Sequence, residues 1–175
     1  MIRFRSENNT DRLLALVLIA AGVFFRLMPH PDNFTPALSL ALFAGVTLPP
    51  ALALSVPLFL MMISDWVIGP HSLYLVVWAS FLLMVGVGIW AGKVPGWKRP
   101  LMGIVGGSFA FFVLSNLGVF LFENMYPKTW AGLVECFVMA LPFFRNSMAG
   151  DLFYTFCLFS LFAAAQWMRQ PKKIS

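Results

Sequence analysis

The stretch Ala37-Leu-Ser-Leu-Ala-Leu-Phe-Ala-Gly-Val-Thr-Leu48, followed at once by Pro49-Pro50, decides how many times this chain crosses a membrane. It is apolar but short, because spanning a hydrocarbon core of about 30 Å takes roughly 20 helical residues. It is therefore too short to cross unless its ends are sunk in protein. Proline has no amide donor and pushes the preceding residue out of helical geometry, so residues 36–69 are predicted to form a helical hairpin.

The composition of the whole chain places this stretch in a membrane protein. Of 175 residues, 60% are hydrophobic and 11% are charged, and the mean hydropathy is +0.83. A soluble domain is about 45–50% apolar and roughly 25% charged. The other apolar runs are Leu13–Met28, Ala51–Ile68, Leu73–Ala91, Leu101–Phe122 and Ala149–Met168, with a shorter run at Trp130–Leu141. The length suits a single domain, residues 1–175.

The positions of the basic residues test whether the short stretch crosses, because Lys and Arg near the ends of membrane helices concentrate on the cytoplasmic side. With six spans and a cytoplasmic N-terminus, the inner residues are Arg3, Arg5, Arg12, Lys93, Lys98, Arg99, Arg169, Lys172 and Lys173, and the outer ones are Arg26, Lys128 and Arg145. If the stretch does not cross, five are inside and seven outside. The sequence therefore predicts an all-α integral membrane protein with six transmembrane helices, both termini cytoplasmic, and a short extra helix on the outer side between spans five and six.

Several function classes lack their sequence signatures. The formal charge of +5 is spread over short clusters between apolar runs, without the continuous basic stripe of a nucleic-acid-binding protein. Cys136 and Cys157 lie in apolar surroundings without the spacing of a metal site. A P-loop and the GxSxG and HExxH motifs are absent from the sequence. We therefore predict no enzyme, no nucleic-acid partner, no metal and no cofactor.

The outer ends of the predicted helices carry more specialised side chains than the inner ends. Arg26, His30 and Asn33 lie around a crossover that contains three prolines, and a rigid loop holds polar side chains at low entropic cost. Asp65 lies about one turn inside the end of span three, where an acid is costly unless it faces a partner in the bundle. Arg26 and His71 are the candidate partners.

Span five and the segment after it add further polar residues. Asn116 lies in an aromatic helix and needs hydrogen-bond partners, either on a neighbouring helix or in a ligand. Asn146 has a second interpretation as the N-cap of span six, with Asp151 favouring the positive end of the helix dipole. We predict that a polar ring at the outer mouth binds a solute, and its members are Arg26, His30, Asn33, Asp65, Asn116, Glu135, Arg145, Asn146 and Asp151.

Segments of this sequence resemble those of an uncharacterised bacterial membrane-protein family: His30-Pro-Asp-Asn-Phe-Thr-Pro36, Ser64-Asp65, Ser115-Asn116, Tyr126-Pro127 and Pro142-Phe-Phe-Arg-Asn-Ser-Met-Ala-Gly-Asp151. That family resembles the substrate-binding S components of energy-coupling-factor (ECF) vitamin transporters in size, six helices and cytoplasmic ends. The resemblance implies an uptake protein of the bacterial cytoplasmic (inner) membrane. It implies that a vitamin-like small molecule, cobalamin or another micronutrient, binds in an outward-facing pocket.

The resemblance also implies a partner. S components dock on an ECF transmembrane coupling protein, which works with ATPases, through an Ala-x-x-x-Ala strip on the first helix, since small residues permit close helix contact. Span one lacks the strip, and the spacing occurs instead on span two. The predicted partner-packing residues are therefore Ala37, Ala41, Ala44 and Gly45.

Two other function classes stay open. In a structural or assembly subunit of a membrane complex, with no solute of its own, the same polar residues would only bond helices together. In a membrane enzyme, Asp65 and His71 would do acid–base work, although no nucleophile or metal set accompanies them. A bound small molecule would distinguish the uptake protein from the assembly subunit.

Overall fold

A computed structural model describes residues 7–69 and 72–168, and this part of the chain forms six α-helices. They are α1 (Asn9–Leu27), α2 (Ala37–Thr47), α3 (Pro50–Ile68), α4 (Tyr74–Ala91), α5 (Lys98–Phe122) and α6 (Trp130–Met168). Helices α3 to α6 are long and apolar enough to cross a membrane, and α2 is a shorter apolar helix. The predictions of an all-helical chain and of a multi-pass membrane protein are confirmed at this level. His71 and the terminal basic residues Arg3, Arg5, Arg169, Lys172 and Lys173 lie outside the described residues.

Helix α1 begins with a capping box. The side chain of Asn8 accepts a hydrogen bond of 2.8 Å from the amide of Asp11, and the amide of Asn8 donates one of 3.4 Å to the Asp11 side chain. These bonds satisfy amides that no helical carbonyl reaches. Ala15, Leu18 and Gly22 are buried along one stripe of this helix, because residues three and four apart share a face. Helix α1 thus lies against the bundle with that stripe.

Helix α2 is the centre of the bundle. Every residue from Ala37 to Gly45 is buried, and the helix contacts each of the other five. Its 11 residues make a helix about 16 Å long, roughly half the thickness of a hydrocarbon core. Pro50 starts α3, at a position where its missing amide has no helical acceptor to lose. The predicted hairpin is therefore present, and both ends of its short helix are enclosed by protein.

Helices α2 and α4 cross at glycines. A Cβ added at Gly45 would lie 2.3 Å from the carbonyl oxygen of Val85, and one added at Gly88 would lie 2.3 Å from the carbonyl oxygen of Leu42. A backbone oxygen cannot swing aside as a flexible side chain can, so neither position has room for a larger residue. This close approach brings the backbones of α2 and α4 into direct contact.

The four residues predicted to pack against a partner protein are buried inside this chain instead. Ala37 and Gly45 are buried, and Ala41 and Ala44 have no exposed surface. Small residues do let helices approach each other here, but the neighbours are helices of the same bundle. Spacing alone does not say which helix comes close, and these four residues lie between helices of this chain and not on a face open to a partner.

Helix α6 also differs from the prediction. The expected short outer helix Trp130–Leu141 and the expected span Ala149–Met168 belong to one continuous helix of 39 residues, with Pro142 inside it. At 1.5 Å per residue, this helix is about 58 Å long. Proline removes one amide from the helical ladder, and Pro142 is exposed, so its ring does not collide with a neighbouring helix. Asn146 consequently lies inside a helix, and its interpretation as an N-cap is wrong.

Candidate functional site

A cavity of about 290 Å³ lies where α1 and α3 end and α2 begins. We call it the main cavity. Its polar side chains are Arg26, His30, Asn33, Thr35, Ser147 and Asp151, and its apolar ones are aliphatic and aromatic, including Phe81 and Phe111. Ala37 and Leu38, in the first turn of α2, also line it. Because α2 is short, the space next to its first turn is occupied by the segment between α1 and α2 and by the main cavity.

A smaller cavity of about 140 Å³ adjoins the main one. The two share Asn33, Phe111 and Ser147 as lining residues. Asn116 lines the smaller cavity, and its side-chain amide donates a hydrogen bond of 2.7 Å to the carbonyl of Phe112 in its own helix. The expected bond from Asn116 to a neighbouring helix is thus replaced by one within α5.

A third cavity, of about 350 Å³, lies at the opposite end of the bundle, beside Ala91 and Trp97. Its lining is apolar except for Gln166 and the indole of Trp97. Binding sites for small molecules combine an apolar wall with a few placed polar groups. The main cavity has that combination, whereas the third cavity lacks charged side chains, so the main cavity is the candidate site.

The structure brings together five of the nine predicted solute-binding residues around the two adjoining cavities: Arg26, His30, Asn33 and Asp151 on the main cavity and Asn116 on the smaller one. Asp65 is not among the lining residues, but it lies 2.7 Å from the guanidinium of Arg26, which lines the main cavity. Glu135, Arg145 and Asn146 line neither cavity, and Glu135 and Arg145 are exposed on α6. A separate outer helix ending at Leu141 would have turned these three residues towards the mouth of the cavity, but α6 is continuous through this region.

Arg26 joins three helices at the wall of the main cavity. Its Nη1 donates to the hydroxyl of Ser64 and lies 2.7 Å from Oδ1 of Asp65, and the indole of Trp78 donates a 2.9 Å bond to Oδ2 of Asp65. The Arg26 and Asp65 side chains are 18% and 10% exposed. Asp65 therefore has the Arg26 partner that the sequence predicted, and the ion pair links the end of α1 to α3 and α4.

The crossover between α1 and α2 is held by its own backbone. His30 places Nδ1 2.8 Å from the carbonyl oxygen of Pro31 and Nε2 3.3 Å from that of Arg26. The amide of Phe34 donates to Pro31 at 2.9 Å. Asn33 has a φ of 60°, a left-handed conformation that asparagine tolerates better than most residues. These contacts fix the segment that carries Asn33 and Thr35 over the cavity.

Asp151 is the centre of a buried polar cluster that joins α2, α5 and α6. Its Oδ2 accepts a 2.5 Å hydrogen bond from Ser108, and its backbone carbonyl accepts one of 2.8 Å from Ser39. Thr155 donates to the Ser39 hydroxyl at 3.1 Å. The sequence reasoning missed Ser39, Ser108 and Thr155, because single hydroxyl residues are common in apolar helices. Only Thr155 carried a usable signal, since it lies four residues after Asp151 and so on the same helix face.

Comparison with known proteins gives a family relationship. The model of a family of unknown function, DUF6580, matches residues 6–173. No curated protein and no solved structure matches the chain. The matched region contains all six described helices and both adjoining cavities.

Proposed function

The chain belongs to DUF6580, a family of unknown function, and since no activity comes with that membership, we propose one from the main cavity. The protein is an uptake protein of a bacterial cytoplasmic membrane and binds a vitamin-like small molecule or another micronutrient in the main cavity. It has no catalytic activity of its own. The observation that carries this proposal is a 290 Å³ cavity whose lining combines charged and polar side chains with aromatic and aliphatic ones, the composition of small-molecule sites.

In this proposal six helices cross the bilayer, and the main cavity opens to the outside. Support comes from three basic residues at the end of the bundle away from the cavity: Lys93, between α4 and α5, and Lys98 and Arg99, the first two residues of α5. Basic residues concentrate on the cytoplasmic side of membrane proteins. A solute arriving from outside would therefore meet the cavity first.

The proposed energy source is an ECF-type coupling membrane protein with its ATPases. Such a partner would need an exposed apolar helix face, because the small residues of α2 are buried. Helix α1 offers one, with Leu13 62% exposed and Leu16 64% exposed. The same face would otherwise contact lipid.

A structural or assembly subunit is the second candidate. The Arg26–Asp65 pair and the Asp151 cluster each bond helices of this chain together, as the polar residues of an assembly subunit would. The two candidates differ in what accompanies the purified protein.

Native mass spectrometry of protein purified in mild conditions tests the proposal. Ser147 lines both adjoining cavities, so Ser147→Trp would fill them, whereas Ala149→Trp on an exposed position of α6 would not. We expect a small molecule bound to the wild type and to Ala149→Trp, and its loss from Ser147→Trp. A stoichiometric protein partner without a small molecule would favour the assembly subunit. A small molecule that stays bound to Ser147→Trp would place its site elsewhere.

A further inference from the structure

Asp151 brings a deeply buried carboxyl group to the main cavity. The residue is 4% exposed and lines the cavity. Its side chain has one hydrogen bond, from Ser108 to Oδ2. In the part of the chain that the structure describes, no Lys, Arg or His lies within 4 Å of this carboxylate. A carboxyl group removed from water without a counter-charge either keeps its proton or ionises at a large cost, and a cationic partner in the cavity would offset that cost.

The other charged side chain of the cavity does not supply that partner. The guanidinium of Arg26 lies 2.7 Å from Asp65, so its charge is already balanced. His30 places both ring nitrogens near backbone carbonyls of its own loop. Among the described residues that line the cavity, no basic side chain is therefore left to pair with the carboxyl group of Asp151.

Aromatic rings lie in the same cavity. Phe81 and Phe111 both line it, with ring centroids 5.5 Å apart. The face of an aromatic ring carries negative partial charge and attracts cations, and it also packs against an apolar body. A carboxylate and two aromatic rings together suit a cation attached to an organic body, and they disfavour an anion.

We infer that the main cavity binds the positively charged amino group of a small organic solute, with Asp151 accepting its N–H bonds and Phe81 and Phe111 packing against its body. This inference rests on the proposed function and narrows its substrate class to solutes that carry a cationic amine. Solutes whose only charge is a carboxylate or a phosphate are excluded from that class.

Charge-selective labelling of a cavity cysteine tests the inference without the natural solute. Both native cysteines, Cys136 and Cys157, are replaced by alanine, and Ser147→Cys is introduced at the cavity wall. The protein is treated with two membrane-impermeant methanethiosulfonates, one bearing a trimethylammonium group and the other a sulfonate. Met125→Cys, at a position 68% exposed between α5 and α6, gives the intrinsic reactivity ratio of the two reagents.

We expect the ammonium reagent to be favoured at Ser147→Cys by about tenfold over the ratio at Met125→Cys, because a cleft of one charge concentrates counter-ions. Adding Asp151→Asn should bring the ratio to within about twofold of that control, whereas Asp32→Asn, at an exposed carboxylate of the crossover, should leave it unchanged. The comparison of Ser147→Cys with Met125→Cys keeps Asp151 intact, so it tests the inference even if Asp151→Asn does not fold.

The outcomes separate this inference from the proposed function. Reaction at Ser147→Cys with a ratio at or below the control ratio would overturn the cationic substrate class and leave a solute-accessible cavity. A ratio that Asp151→Asn does not change would remove Asp151 from recognition and overturn the inference as well. If neither reagent reacts at Ser147→Cys while both react at Met125→Cys, the cavity is closed to solutes, and the proposed function fails together with the inference.

Discussion

The hydroxyl of Ser108 on α5 donates a 2.5 Å hydrogen bond to the carboxylate of Asp151 on α6, 43 residues further along the chain. Ser108 is 2% exposed and Asp151 is 4% exposed, so both groups are largely removed from bulk water. The bond also orients the carboxylate whose residue lines the main cavity. The same contact therefore contributes to helix packing and to the geometry of the candidate site.

Ser108→Ala is expected to lower the free energy of unfolding by about 1–3 kcal/mol, because it leaves a buried acceptor without its donor. Ser80→Ala is the matched control, since Ser80 is 6% exposed and donates at 2.8 Å only to the carbonyl of Val76 in its own helix. That carbonyl keeps its helical amide, so the control should lose about 0.5 kcal/mol or less. Reversible unfolding in mixed detergent micelles measures both. Equal losses would show that the Ser108–Asp151 bond adds nothing beyond the burial of a hydroxyl.

The Arg26–Asp65 pair is expected to behave as a buried ion pair. Arg26→Met alone and Asp65→Asn alone should each cost about 3 kcal/mol, because each removes the opposite charge from a desolvated one, and the double variant should cost less than the sum. The control is the pair of Arg12 and Glu7, 3.7 Å apart with side chains 63% and 34% exposed. Removing either of its charges should change stability by less than about 1 kcal/mol.

A double-mutant cycle on unfolding free energies measures both pairs. Coupling of Arg26 and Asp65 no larger than that of Arg12 and Glu7 would contradict the buried-pair interpretation. Such a result would mean that Asp65 does not neutralise the charge of Arg26, which could then act on a solute in the main cavity.

Much of this fold was predictable from the sequence, because membrane helices obey strong local constraints. The proline pair after Leu48 and the distribution of basic residues were enough to predict the helix α2 as a separate element. The need of Asp65 for a cationic partner was predictable, because a buried acid needs a nearby cation, but the sequence left both Arg26 and His71 as candidates, and the structure shows the pair with Arg26. Such arguments depend on the length, hydrophobicity and charge of each segment, which can be read directly from the sequence.

The parts that could not be predicted depend on packing between distant segments. The run Trp130–Leu141 was expected to form a separate outer helix, but α6 continues through Pro142, because one missing amide does not by itself end a helix. The burial of Ala41 and Ala44 inside the chain depends on which helix lies beside α2. Glu135 and Arg145 line neither cavity, because α6 continues as one helix through Pro142.

The α2–α4 crossing should be sensitive to a single methyl group. Gly45→Ala places a Cβ 2.3 Å from the carbonyl oxygen of Val85, and overpacking of this kind typically costs about 1–3 kcal/mol or more. Gly86→Ala is the control on the same pair of helices, since a Cβ there meets nothing within 4 Å. It should be neutral or stabilising by about 0.5–1 kcal/mol. Thermal unfolding of the two purified variants gives the comparison, and a Gly45→Ala protein as stable as Gly86→Ala would mean that the helices do not cross at this distance.

The proposed orientation in the membrane can be measured in intact cells. Met125, 68% exposed, lies between α5 and α6, and Val94, 45% exposed, lies between α4 and α5. With six spans and cytoplasmic termini, the loop that contains Met125 is outside the cell and the loop that contains Val94 is inside. The basic residues Lys93, Lys98 and Arg99 lie in or next to the Val94 loop, as is typical of a cytoplasmic loop. In a background without Cys136 and Cys157, an impermeant thiol reagent should label Met125→Cys in intact cells and Val94→Cys only after the membrane is permeabilised. The reverse pattern would place the main cavity on the cytoplasmic side, where it could not receive a solute from outside, and labelling of both positions in intact cells would rule out a membrane crossing by α5.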